Sequence, residues 1–387
     1  MVGIVGINLR EKTKEEVPVV FKTIFLFINK ILEKMEQQKL IKQCVGIDCG
    51  KLELVCSLGV MQSDYSEKIV STGSFKNTTE GFKKLEKWAL KHADKTVSIN
   101  YVLEATGVYH EKIALHLHKN GDKVSVILPN KAKAFTQTLS VKTVNDKTSS
   151  QSLAYLGLEK QLDCWQPPQP IYGELKQLTR EREQLISERT QCKNQLHAEE
   201  SGAWPNKSSI KRIRQRIKLL DKQMLEIEKE IEKIVDANEA LKKKMKYVCS
   251  IKGIGLISAA SIVAETNGFH LIRNKKQLVS YAGLDVVEKQ SGISVQGRTK
   301  ISRKGNKCIR KALFFPGLVA IRHTAPMKAL YKRLVSKHGI KMKAAVAVQK
   351  KMLELVYVLW KKEELFQEDY LKNKGQQAET PVLCELA

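Results

Sequence analysis

Three carboxylates stand where acids are costly. Asp48 closes the apolar run Val45-Gly46-Ile47-Asp48. Glu104 repeats the arrangement at the end of Tyr101-Val102-Leu103-Glu104, just before a Thr-Gly turn, and Asp146 opens a stretch with helical patterning. An acid at the end of an apolar strand is expensive to bury without a positive partner or a metal. Acids at neighbouring strand ends and on a following helix can converge on one point. Such a cluster needs cations to stay ionised, and hard oxygen donors select Mg2+ or Mn2+. Two such ions activate the attacking oxygen and stabilise the leaving one in phosphodiester cleavage. Taken singly, each acid is as well explained as a turn or cap residue. The order strand-Asp, strand-Glu, helix-Asp is what points to a metal site.

Two further constellations lie downstream. Lys252-Gly253-Ile254-Gly255 precedes the small-residue run Leu256-Ile257-Ser258-Ala259-Ala260. A Gly-x-Gly turn between helices is the pattern of a helix-hairpin-helix, in which backbone amides at a helix start meet a phosphate. An ordinary helix–helix turn has the same spelling. Ser291 and Ser302 lie in a segment rich in Gly and cations, with Arg298, Lys300, Arg303, Lys304, Arg310 and Lys311. Cationic surroundings would stabilise an attacking alkoxide and a pentavalent phosphate. The same serines could equally bind phosphates, and the residues alone do not choose.

The charge balance supplies the substrate class. Lys and Arg number 67 against 41 Asp and Glu, a net charge of +26. A chain this basic is expected to meet a polyanion, nucleic acid above all. Between Val295 and Lys351 there are sixteen Lys or Arg and no acid, the composition of a phosphate-binding surface rather than of a mixed solvated face. The eight cysteines show no CxxC spacing, which argues against structural zinc and fits free thiols in a reducing cytoplasm. The apolar run over 17–32 is interrupted by Lys22, Asn29 and Lys30 and is too short to span a bilayer, so no membrane role is expected. Residues 1–34 read as an upstream extension, with Met35 a natural start; the alternative is an amphipathic helix capping the first domain.

The elements that must position these residues fall into segments. An extension covers 1–43. Over 44–165, short apolar runs alternate with helical patterns: a hairpin over 44–58, a strand at 68–75, a helix at 79–92, strands at 98–103 and 123–128, and helices at 109–119, 131–138 and 146–160. That is a mixed α/β sheet domain. After the Pro-rich stretch Gln166–Pro170, residues 170–247 carry 3/4-spaced apolar seams broken at Trp204-Pro205-Asn206. The second seam, Ile210 to Ile234, predicts a coiled-coil helix on the order of 60 Å long that dimerises the chain; an antiparallel hairpin folding on itself is the alternative. Residues 248–365 read as helical and basic, and 366–387 as a disordered tail.

Taken together, the blocks VGIDCGK (45–51), YVLEATGVY (101–109), LPNKAKAF (128–135), IKGIGLISAASIVAE (251–265), LVSYAGLD (278–285) and QSG…ISRKGN…IRKAL (290–313) resemble the DEDD-type insertion-sequence transposases. That family is related to the Piv DNA invertase and includes bridge-RNA-guided recombinases. The resemblance implies a RuvC-like, RNase H-type domain with four acids binding Mg2+ (or Mn2+), a coiled-coil linker, and a mainly helical transposase domain with a helix-hairpin-helix element and a nucleophilic serine. Three acids carry over to Asp48, Glu104 and Asp146; Ser149 stands at the usual fourth acid position. The nucleophile maps to Ser291, with Ser302 as runner-up. Lys252, Gly253, Gly255, Arg298, Lys300, Arg303, Lys304, Arg310 and Lys311 are the expected nucleic-acid contacts. The implied partners are double-stranded DNA at element ends and target, a structured guide RNA, and further copies of the chain, as a dimer or tetramer. The implied setting is the bacterial cytoplasm, at the nucleoid. The rival readings are a structure-specific metal-dependent nuclease, acting like a Holliday-junction resolvase without a serine link, and an inactive DNA-binding copy.

Overall fold

A computed structural model describes residues 39–367 except 140, 141, 144, 271, 289, 292–294 and 298. The N-terminal extension, Arg298 and all but the start of the tail therefore lie outside the described residues. The chain divides into two compact units at Pro167/Pro168.

The first unit is built on a five-stranded sheet in the order β3-β2-β1-β4-β5. Its strands are β1 (Leu40–Cys49), β2 (Glu53–Gln62), β3 (Glu67–Lys76), β4 (Ile99–Glu104) and β5 (Lys123–Ile127). β1, β2 and β3 pair antiparallel, as tight turns permit; β4 joins β1 in parallel and β5 joins β4 in parallel. β1 begins at Leu40, so the extension expected over 1–43 loses its last four residues to the sheet. Buried Gln43 fixes this start: its side-chain amide donates to the carbonyls of Asp94 and Val97 and accepts from the Asp94 amide.

Strand alternation sorts the side chains. Val45, Ile47, Tyr101 and Leu103 point to one face, where they pack with α1 (Thr79–His92) and α2 (Glu111–Lys119) through Phe82, Leu85, Ile113 and Leu117. Cys44 and Val102 point to the other and meet Ala132 of α3 (Pro129–Thr136) with Leu153 and Leu158 of α4 (Asp146–Glu159). Even-numbered Asp48 and Glu104 follow Cys44 and Val102, so both acids fall on the α4 face.

The second unit is helical. α5 (Pro170–Ser201) and α6 (Lys207–Asp236) form an antiparallel hairpin. The 3/4 seam is occupied within the chain: Ile213 and Leu220 bury against Cys192 near the far end, while Ile227, Ile231 and Val235 join Leu175 and Leu178 in the main core. Here the alternative pairing is the one observed, and no second copy is needed to cover the seam. Asn238 caps a separate helix, α7 (Glu239–Cys249), so α6 is 30 residues and roughly 45 Å long rather than about 60 Å. α8 (Leu256–Glu265) is the central element, buried over Ala259–Glu265. α9 (Lys275–Tyr281), α10 (Lys307–Ala312), α11 (Phe314–His323), α12 (Ala325–His338) and α13 (Lys341–Lys362) complete the unit. α13 turns Val348, Met352, Val356 and Trp360 inward, and Trp360 donates to the Gly268 carbonyl. Among the described residues no helix is long and apolar enough to cross a membrane.

Where a basic loop was expected, two short ribbons stand between α9 and α10. β6 (Val286–Val287) pairs with β9 (Lys300–Ile301), and inside them β7 (Gln290–Ser291) pairs with β8 (Val295–Gln296).

Candidate functional site

The first unit brings the three acids to one end of its sheet. β1 and β4 run parallel with Ile47 opposite Leu103, so Asp48 and Glu104 sit one step further along adjacent strands. Asp146 is the first residue of α4, whose start is fixed by a capping box between Asn145 and Thr148. α4 reaches the sheet because Gly46 has no side chain: a Cβ there would overlap the Ser150 carbonyl and the Ala154 amide. A Cβ at Gly157 would likewise overlap the Cys44 sulfur. Ser150 then bonds to Ser57 across the contact at 2.8 Å. The result sets the first turn of α4 over the end of β1.

The electrostatics follow from that placement. Burial, then the charges of Asp146 and Glu104, push the Asp48 carboxyl up to about 6. The Cys49 amide and the Ser149 hydroxyl, both donating to Asp48, act in the opposite direction. Burial also raises Glu104, against a hydrogen bond from Thr106. Cys49, buried beside both acids, is pushed up to about 12 and stays a thiol. Ser149, at the position where an acid was expected, is thus in direct contact with Asp48.

Carboxylate and hydroxyl oxygens are the donors that hard divalent cations take, and a group raised by like-charged neighbours is one a cation would relieve. In chemistry the residues fit such an ion. In arrangement Asp146 and Glu104 are near enough to raise the proton affinity of Asp48, yet among the described residues no three His, Cys, Asp or Glu form a ready coordination group.

The other expected site residues lie in the second unit. Lys252 and Gly253 occupy the turn between α7 and α8, and Gly255 is the N-cap of α8. Gly253 has φ +100°, and a Cβ there would press on the Pro316 carbonyl and Val319 of α11, so this glycine serves packing. Gly255 faces open space. Ser291 lies in β7, opposite Val295. Ser302 lies just beyond β9; its Oγ donates to Asp285 Oδ1 at 2.5 Å and its amide to the Asp285 carbonyl at 2.8 Å. Asp285 was not singled out from the sequence; the Leu-Asp ending of its block was its only signal.

The expected phosphate contacts differ in what they already engage. Lys300, Arg303 and Lys304 are exposed, with Arg303 at φ +53°. Arg310, by contrast, donates to the carbonyls of Ala282, Gly305 and Asn306, and Lys311 pairs with Glu183 of α5 at 3.1 Å. These two hold the second unit together, because the turns around Gly283 and Gly305 leave carbonyls that need a donor. Sequence reasoning also missed Glu265. Its side chain is 1% exposed, clasped by Arg180 at 2.6 and 3.0 Å and by Asn306 at 2.6 Å. Burial pushes its carboxyl up, and those partners outweigh burial and hold it below the usual range. Tyr281 donates to the Glu265 carbonyl and its own carbonyl accepts from the Asn306 amide, which ties the loop after Ser302 to α8 and α5.

Comparison with known proteins gives two matching families. A DEDD transposase family of the IS110 type matches residues 45–199, and the transposase family IS116/IS110/IS902 matches 245–332. Together they cover more than half of the chain. A pilin gene-inverting protein of Moraxella bovis is 27% identical over 291 residues, covering 74% of this chain and 87% of that protein. The transposase for insertion sequence element IS1111A of Coxiella burnetii is 27% identical over 150 residues, 38% of this chain and 40% of that one. Among solved structures, T. thermophilus RuvC in complex with a Holliday junction substrate matches 32% of this chain and 99% of its own, at 7% identity and a TM-score of 0.24.

Proposed function

The chain belongs to the IS110-type transposase family and is a DNA-cleaving and rejoining enzyme, and from that premise we propose that Asp48, Glu104 and Asp146 form its metal-dependent catalytic centre, working with a serine nucleophile of the second unit. The observation that carries this reading is the placement of Asp48 and Glu104 at the ends of adjacent parallel strands, with Asp146 opening the helix that packs on β1. Asp48, Glu104 and Asp146 would hold the divalent ion, Mg2+ or Mn2+, with Ser149 contributing a neutral oxygen. When bound, the ion supplies Lewis acidity and neutralises charge at the scissile phosphate.

The remaining work falls to the chain itself. Ser291 is the proposed nucleophile. Attack of its Oγ on phosphorus forms a serine–phosphate ester and breaks one P–O bond, so the displaced strand leaves with a free hydroxyl. The reverse attack by a strand hydroxyl reseals the backbone and frees the serine. Lys300, Arg303 and Lys304, exposed in the same segment, would meet transition-state charge. A second assignment, Ser302, is favoured by one observation: its hydroxyl already donates to Asp285, which can take the proton on attack. The turn before α8 acts as a helix-hairpin-helix contact to the phosphate backbone, with Gly255 facing the phosphate and Gly253 setting the turn. A structured RNA guides the pairing of donor and target DNA, and several copies of the chain act together.

A trapping assay tests this. Protein, element-end DNA, flanking RNA and Mg2+ are incubated, and a denaturation-resistant protein–DNA band is sought for wild type, Ser291→Ala, Ser302→Ala and Asp48→Ala. Loss of the band in one serine variant identifies the nucleophile. Cleavage with no adduct would replace this reading with a metal-dependent nuclease, and binding without cleavage would point to a copy impaired at Ser149.

A further inference from the structure

The far end of the α5/α6 hairpin has no part in the chemistry above, and its composition is unlike the rest of the hairpin. Between Lys207 and Lys222, the half of α6 nearest the tip, there are seven Lys or Arg and one acid, Asp221. The other half, to Asp236, has five acids and two lysines. One helix thus carries opposite charge at its two ends. Some of the tip charge is used locally: Arg214 pairs with Glu200 at 2.8 Å, Arg189 of α5 with Asp221, and Lys222 lies 3.7 Å from Glu226. Lys207, Lys211, Arg212, Arg216 and Lys218 are exposed and make no ion pair among the described residues. Lys207, Lys211 and Lys218, at steps of four and seven, and Arg212 with Arg216, four apart, form two adjacent rows along roughly 17 Å of helix.

At the apex stands Trp204, 92% exposed. It makes no ring or cation contact among the described residues. Pro205 follows it and restricts its backbone to extended conformations, so the indole cannot be drawn into either helix. What distinguishes Trp204 from the other exposed apolar side chains is the rows of cations beside it. Cations that track a backbone beside an exposed aromatic face are the components of a surface for unpaired nucleotides. A hydrocarbon partner would satisfy the indole and leave the cation rows unanswered; a second copy, whose α6 is acidic over its other half, is the rival occupant that sedimentation tests.

We propose that the hairpin tip is a second nucleic-acid contact, in which Trp204 stacks on an unpaired base while Lys207, Lys211, Arg212, Arg216 and Lys218 follow its flanking phosphates. This deepens the recombinase reading by naming a partner for a surface remote from the serines. The shared chemistry is a phosphodiester chain with an unpaired base, and it can come from an RNA loop or from opened DNA.

The test uses the full chain in EDTA, so that strand cleavage does not enter. Three labelled probes are titrated by fluorescence anisotropy: one stem bearing a five-nucleotide loop as RNA, the same as DNA, and the blunt duplex of that stem. Trp204→Ala is expected to weaken the loop probes about 5- to 100-fold while leaving the duplex within about twofold. Trp204→Phe should restore most of the loss. Lys211→Glu combined with Arg212→Glu and Arg216→Glu should weaken all three probes and lower the log–log salt slope by about two to three. Whichever loop probe loses more identifies the natural source. Unchanged loop binding in Trp204→Ala overturns the proposal. So does a loss of self-association in sedimentation with binding intact, which would make the tip a contact between copies. Cleavage in Mg2+ is measured on the same preparations: retained cleavage with an inert tip removes only this proposal, whereas wild type that neither binds nor cleaves removes the recombinase reading as well.

Discussion

Asp48 is a carboxylate whose charge the metal-free fold tolerates poorly. Its folded value, about 6, lies above the ordinary 3.8 because of burial and the two neighbouring acids. The stability linked to a raised carboxyl is present in full below the unfolded value and is lost as pH rises through the folded one, here between about 4 and 6. Asp48→Asn should therefore raise the metal-free stability near pH 8 by on the order of 1 kcal/mol once solvent screening is allowed for, read as a higher melting temperature. That gain should shrink to nothing near pH 4; a gain independent of pH would mean that charge at Asp48 is not the cost. Ser149 gives the complementary experiment. Its hydroxyl now donates to Asp48, and Ser149→Asp would replace that donor with a fourth like charge. The variant should melt lower in EDTA by about 1 kcal/mol and gain more than wild type from millimolar Mg2+ or Mn2+. An equal or smaller gain would show that position 149 does not face the ion.

At the scale of elements, the acid site depends on how closely α4 lies on β1. Gly46→Ala would drive a methyl group into the Ser150 carbonyl and the Ala154 amide. The helix must lift, at a cost of about 1–3 kcal/mol. Asp146 and Ser149 then move off Asp48, so the Asp48 titration followed by carboxyl-carbon NMR should fall back toward the ordinary aspartate range. A destabilised variant with an unmoved titration would uncouple the glycine from the site. Much of this unit was legible in the sequence: short apolar runs marked the strands, and their last residues put Asp48 and Glu104 at strand ends. The ribbons around Ser291 and Ser302 were not legible, because strands of two residues carry no periodicity. Nor could the Ile210–Ile234 seam name its partner. A 3/4 spacing reads the same whether the facing helix is α5 of the same chain or another copy. Nor does composition show that Arg310 and Lys311 also serve carbonyls and a carboxylate within the fold.

Over the whole molecule, the charge of +26 is concentrated in the helical unit, where sixteen cations between Val295 and Lys351 meet no acid. DNA affinity should fall linearly with salt on logarithmic axes, with a slope steeper than about −5 if even a third of those cations reach phosphates. A nearly flat dependence would leave the charge unexplained by phosphate binding. The hairpin adds something that charge alone does not. Its base is anchored in the core through Leu175, Ile231 and Val235, while its tip stands roughly 45 Å out, equal to about 13 base-pair steps of duplex. Two stiff helices braced against each other make a ruler. Protection patterns on bound nucleic acid should then show two patches more than one helical turn apart. Deleting one heptad from each arm would slide the outer patch inward by about 10 Å, or three base pairs, without touching a single catalytic group.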